Sequence, residues 1–125
     1  MKNKQRLKLE AIGIDFDDTI IKEPKDWKTP YNQLLLLPNA REIINYLYEK
    51  YQIIIVSSRI NPEINQDYLD HIEWIEWYLR DRGVKFDELA KFKPIVQYNI
   101  DNRNVEFDGN WLKLRKKLEL KENDA

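Results

Sequence analysis

Ile53-Ile54-Ile55-Val56 is an unbroken β-branched run with no polar residue interposed. A strand of this kind has no solvent face to offer, so it must be covered on both sides, as in a parallel sheet with helices packed against it. The flanking patterns fit that arrangement. Before the run, Pro38 stands where a helix can start, and Ala40, Ile43, Ile44, Leu47 and Tyr51 keep helical spacing, which predicts a helix over 39–50. After it, Leu69, Ile72, Ile75 and Leu79 predict a second helix over 65–82, with Gly83 as its stop.

The same alternation extends through the chain. Residues 7–15 read as a strand ending in Ala-Ile-Gly-Ile-Asp, whereas residues 22–37, with Pro24 and Pro30 and no clean period, read as a loop or short excursion. Short strands are expected at 84–86, 95–100 and 105–107, and Trp111, Leu114 and Leu118 mark a last amphipathic helix. Strand and helix in this order give an open α/β sheet with right-handed crossovers. Such sheets place their sites beyond the carboxyl ends of the strands, where Asp15, Ser57 and Asp101 would meet along one edge.

Composition narrows the classes of function. A chain of 125 residues fits one domain over 1–125, with 1–6 and 121–125 expected to be flexible, and 4 Trp, 7 Tyr and 4 Phe supply enough apolar surface for its core. With 21 Lys and Arg against 22 Asp and Glu, no overall field draws the protein to nucleic acid or to an anionic membrane, so any such partner must be recognised locally. The absence of cysteine excludes disulfides, thiolate metal sites and a cysteine nucleophile, and fits a reducing compartment. The basic stretch 1–8 precedes no apolar segment of the signal-peptide kind, and the longest apolar runs fall far short of the roughly 20 residues that span a bilayer. A soluble, cytoplasmic protein without a membrane partner is expected.

Asp15 and Asp17 are two residues apart at a strand end, so the strand period turns both carboxylates to one side while Asp18 points elsewhere. Carboxylates this close repel, and a hard cation such as Mg²⁺, which takes one or two carboxylates and keeps several waters, would relieve the repulsion. Asp101 would add an oxygen from its own strand. The competing reading is that acids simply end strands and begin turns. Arg59 carries a planar fork suited to bidentate contact with phosphate, or else is an ordinary surface arginine in the loop before Pro62.

Taken together, apolar-Asp15-x-Asp17-x-Thr19, then Ile53 to Ser57, then Lys93-Pro94, then Tyr98-Asn99-Ile100-Asp101-Asn102-Arg103 resemble the four successive motifs of the haloacid dehalogenase superfamily. The resemblance covers roughly residues 10 to 110. The run from Glu76 to Leu89, followed by Lys93-Pro94, also looks like the small capless members of this kind found in bacteria and phages. It implies a three-layer, Rossmann-like α/β fold with a mainly parallel central sheet and no large cap domain. It implies Mg²⁺-dependent hydrolysis of a phosphate monoester, with Asp15 as nucleophile and Asp17 as the acid and base. Ser57 would bind a phosphoryl oxygen and Lys93 would steady the transferring group. Thr19, Ser58 and Arg59 would be substrate-binding, the last because an arginine in that place touches substrate in polynucleotide 3′-phosphatases that resemble this chain. Asp15, Asp17, Asp101 and Asn102 would hold the metal. Asn102 departs from the pattern, since many relatives carry a second acid there. The expected substrate is a phosphorylated small molecule or nucleotide. The alternatives are a nucleic-acid end bearing a 3′-phosphate, and a catalytically weak binding or regulatory domain.

The remaining conspicuous residues have plainer expectations. His71, the sole histidine, is expected on the solvent side of its helix, and Arg103 in a structural ion pair. Trp74, Trp77 and Tyr78 lie off the main apolar stripe, so they pack on a neighbouring element or form an exposed patch. The basic cluster from Lys113 to Lys117 is expected to be a solvated helix face. Trp27 stands where it could roof the site.

Overall fold

The computed structural model describes residues 10–92, 98–101, 105–106 and 109–124. Its strands are β1 (Ala11–Asp15), β2 (Gln52–Val56), β3 (Glu88–Ala90), β4 (Tyr98–Asp101) and β5 (Val105–Glu106). Its helices are α1 (Ala40–Tyr48), α2 (Tyr68–Asp81) and α3 (Trp111–Asp124), with single 3₁₀ turns at Tyr31–Gln33 and Ser58–Ile60. All strand pairs are parallel and the order is β3-β2-β1-β4-β5. The chain steps outward from β1 to β2 and β3, then returns to the other side of β1 for β4 and β5. The order therefore reverses at the β1–β4 boundary, and a crevice opens at such a boundary beyond the strand ends.

The two central strands follow directly from their residues. Ile53, Ile54, Ile55 and Val56 are all buried, so β2 is covered on both faces as its unalternating sequence demands. Ile12 and Ile14 of β1 are fully buried beside it. The α1 face formed by Ala40, Ile43, Ile44 and Leu47 packs into the same core, and Trp111, Leu114 and Leu118 of α3 complete it.

Two elements depart from the sequence expectation. The third strand lies at Glu88–Ala90, not at 84–86, because the Asp87 carboxylate accepts from the Ile53 backbone N–H (2.8 Å) while the Asp87 N–H donates to the Ile53 carbonyl (2.9 Å). That exchange begins the ladder one residue before β3 and puts Ala90 opposite Val56. In α2 the buried residues are His71, Ile75, Tyr78 and Leu79, while Leu69 is 63% exposed. The helix thus keeps Ile75 and Leu79 of the expected stripe in the core but leaves Leu69 out, and its buried face meets the two 3₁₀ turns. Those turns present the Tyr31 hydroxyl and the Arg59 guanidinium, which suit an imidazole better than leucine.

The excursion after β1 is ordered. Asp18 takes a left-handed turn (φ 59°), a conformation that Asp tolerates better than most residues. Ile20 and Ile21 then donate back to the Phe16 carbonyl. Ile21 pairs with Leu36 in an antiparallel bridge, so residues 22–35 leave and return as a flap above the end of β1. Among the described residues no helix is long and apolar enough to cross a membrane.

Candidate active site at the strand ends

Register places the expected strand-end residues along one edge. Asp15 is opposite Val56, the residue before Ser57, and Ile14 is opposite Ile100, so Asp15 and Asp101 both follow that paired step. Lys93, Asn102 and Arg103 lie outside the described residues, and Asp101 is described in its backbone. The alternation across Asp15-Phe16-Asp17 is as expected. Phe16 is fully buried, and both acids line a cavity of about 460 Å³ with Ser57, Ser58, Asn61 and Lys91.

Asp17 does not face Asp15 as an uncompensated charge. Arg59 grips it with two nitrogens: Nε donates to Oδ2 (2.9 Å) and Oδ1 (3.2 Å), and Nη2 donates to Oδ1 (2.8 Å). The guanidinium is wholly out of solvent, whereas the Asp17 side chain keeps 21% of its exposure. Three rings surround the arginine, with its central carbon 5.6 Å from the Phe16 centroid, 5.7 Å from Trp27 and 5.2 Å from Tyr31. Burial acts to lower the Arg59 pKa, but the hydrogen bonds and charge of Asp17 outweigh it and the net direction is upward. Arg59 is therefore not an ordinary surface residue: it is buried and paired with Asp17.

The arginine extends the network away from the cavity. Its Nη1 donates to the Tyr31 hydroxyl (3.1 Å), which lies 2.7 Å from His71 Nδ1. A guanidinium can only donate, so the phenol oxygen accepts from Arg59 while the same hydroxyl shares a hydrogen bond with His71 Nδ1. Burial, with the Arg59 charge added, lowers the His71 pKa against the opposing pull of Asp67, Asp17 and Asp70. Burial pushes the Tyr31 phenol up to about 12, with Arg59 acting the other way. The expectation of a solvent-facing His71 is thus overturned: it is 5% exposed and closes a buried polar chain.

Ser57 caps the 3₁₀ turn that carries Arg59, its Oγ accepting from the Arg59 N–H (3.1 Å). Its hydroxyl hydrogen remains to be donated, and Ser58 lines the cavity next to it. Thr19, expected at the substrate, is instead 4% exposed and lies off the lining of this cavity, its carbonyl accepting from Trp111 Nε1 (2.9 Å). Trp27 does stand at the cavity wall.

Glu23, Asn61, Ile64, Lys91 and Phe92 are lining residues that sequence reasoning missed. Lys91 directly follows β3, so the same strand-end logic that singled out Asp15 and Ser57 would have named it had the strand been placed at 88–90. Asn61 carries no signal of its own; its Oδ1 accepts from the Glu63 N–H and shapes the loop after Arg59.

The donors around Asp15 are oxygens, with no histidine or cysteine in the lining, which is the chemistry of a hard cation such as Mg²⁺ rather than of zinc. Among the described residues, no group of three or more His, Cys, Asp or Glu side chains forms a metal cluster. With Arg59 on Asp17, relief of repulsion between the two acids no longer argues for a cation.

No family model matches the sequence, and no curated protein does. Among solved structures the chain is similar to one in the Pnkp1/Rnl/Hen1 RNA repair complex, at 18% identity and a TM-score of 0.49, over 97% of this chain and 36% of that one. It spans about a third of the length of that relative.

Proposed function

We propose that the protein is a phosphate monoester hydrolase that works through an aspartyl phosphate on Asp15, with a phosphorylated small molecule or nucleotide as substrate. The observation that carries this reading is the position of Asp15: on the central strand, beside the point where strand order reverses, lining a cavity with two serine hydroxyls, a lysine and a second acid held by an arginine fork.

In the first step an Asp15 oxygen attacks phosphorus and the bond from phosphorus to the ester oxygen breaks, that oxygen taking a proton which Asp17 has first accepted from solvent at its exposed edge. In the second, Asp17 takes a proton from water, the water oxygen attacks phosphorus, and the bond to Asp15 breaks to release inorganic phosphate. Three Arg59 hydrogen bonds occupy only part of the carboxylate's accepting capacity, so Asp17 is held in place and still meets the cavity. Ser57 donates to a phosphoryl oxygen from a capped, rigid turn. Lys91 brings positive charge to the same wall, and Lys93 is the family-based choice for that role. Asp15, the Asp17 carbonyl and Asp101 would hold Mg²⁺, with Asn102 as a further oxygen donor; the ion supplies charge stabilisation for the transferring group.

Hydrolysis of an aryl phosphate in the presence of Mg²⁺ tests the proposal. Asp15→Asn should lower the rate at least a thousandfold, in line with loss of a covalent nucleophile. Equal rates in the two proteins remove Asp15 from the chemistry. A second reading, a binding or regulatory domain that retains the ion, is favoured by the ion pair on Asp17, which satisfies that acid without any reaction. It predicts no turnover of any phosphate ester while Mg²⁺ still raises the melting temperature.

A further inference from the structure

A second cavity, of about 670 Å³, lies next to the first and shares Trp27 with it. Five rings dominate its wall: Trp27, Tyr31, His71, Trp74 and Trp77. His71, Trp74 and Trp77 follow one another at three-residue spacing along α2, which places them on neighbouring positions of one helix surface. The rings are already arranged edge to face: His71 to Trp74 at 5.0 Å and 68°, Tyr31 to His71 at 5.7 Å and 61°. The Tyr31 to Trp74 pair is tilted at 5.7 Å. Trp74 and Trp77 nonetheless remain 45% and 48% exposed, so much of two indole surfaces is left in water.

We propose that this cavity is a nucleobase subsite, and that the substrate of the Asp15 centre is a nucleotide whose base stacks there while its phosphate reaches Asp15. Three features choose this occupant. The lining is built of rings rather than of branched aliphatic side chains, and flat π faces recognise other flat rings while tolerating differences in their edges. Asp67 and Asn32, with Lys28, add a few acceptors and donors, as the edge of a base requires and an aliphatic ligand does not. Trp27 lines both cavities, which sets them side by side, so the proposed substrate would carry an aromatic group at one end and a phosphate at the other and pass around its indole. The size falls in the range of roughly 300–1,000 Å³ in which small-molecule sites occur.

The wall is also well braced. Tyr31 and His71 belong to the buried chain that runs through Arg59 to Asp17, so two of the stacking rings and the acid of the neighbouring cavity are fixed by the same hydrogen bonds.

The proposal rests on the phosphoryl-transfer reading of the Asp15 cavity, and the experiment separates the two. Binding is followed by calorimetry with adenosine, adenosine 5′-monophosphate, ribose 5-phosphate and a 3′-phosphorylated oligonucleotide, using wild type, Asp15→Asn, Trp74→Ala and Trp74→Phe. Adenosine monophosphate should bind roughly tenfold or more tightly than ribose 5-phosphate, Trp74→Ala should abolish that difference, and Trp74→Phe should keep most of it. Affinity for ribose 5-phosphate should be the same in all three Trp74 forms. Adenosine alone should still bind to Asp15→Asn, so the subsite survives even if no ester is turned over. A tighter oligonucleotide than mononucleotide assigns the base to a nucleic-acid end, and the reverse to a free nucleotide. Equal affinity for the base-bearing and base-free phosphates, or no response to Trp74→Ala, overturns the proposal.

Discussion

Arg59 holds a full positive charge with no contact with water, and one carboxylate answers it. Removing a single partner from such a pair leaves an uncompensated charge in a poorly polar site, which is far costlier than losing both. Asp17→Asn keeps the shape and deletes the charge, so urea denaturation should show a loss of about 3 kcal/mol, near the low end for buried pairs because Asp17 retains some exposure. The neighbouring imidazole gives the fold a pH response. His71 is held below its ordinary value of about 6.5, so the unfolded chain takes up a proton before the folded one does. Stability therefore falls as pH drops from about 7.5 to 5.5. His71→Gln, whose amide can still hydrogen-bond Tyr31 as donor or acceptor, should flatten that part of the Tm-against-pH curve. Neither the ion pair of Arg59 nor the burial of His71 was legible from the sequence, because what fixes both is each other's company through Tyr31, across 28 and 40 residues of chain.

The elements were legible in proportion to how far their own residues decide them. β2 announces itself because a β-branched run buried on both faces has few alternatives, and α1 because its apolar spacing is regular. β3 was misplaced because Glu88-Leu89-Ala90 has little strand preference; its partner, the edge of β2, imposes the conformation. Strand-end placement of Asp15 and Ser57 followed from β1 and β2, and Lys91 was lost with β3. At the end of α2, Gly83 did stop the helix as expected, and its φ of 73° explains the choice. An added Cβ there would meet only Arg41 Cδ, at 3.5 Å, so the cost of Gly83→Ala is conformational and not steric. Thermal or urea unfolding should show a loss of about 1 kcal/mol, and Gly83→Asn should lose less.

Across the whole molecule, the first strand is the one most dependent on the rest. β1 is flanked by β2 and by β4, and the turn that follows it is anchored by Trp111, 92 residues away, through the Thr19 carbonyl. Trp111→Phe keeps the apolar ring but leaves that buried carbonyl unsatisfied, with an expected cost of about 2 kcal/mol in denaturant titrations. Since the turn carries Asp17 and Asp18 just before Thr19, the same variant should also lower aryl-phosphate turnover more than KM, as displaced acids would. The Trp111 anchor has a further consequence for synthesis on the ribosome. The acids emerge well before the indole that secures their turn, which is made 92 residues after Thr19. A nascent chain short of α3 therefore carries both acids without their final support. The long separation means that the site is not fully braced until α3 has been made, and contacts of that range close slowly.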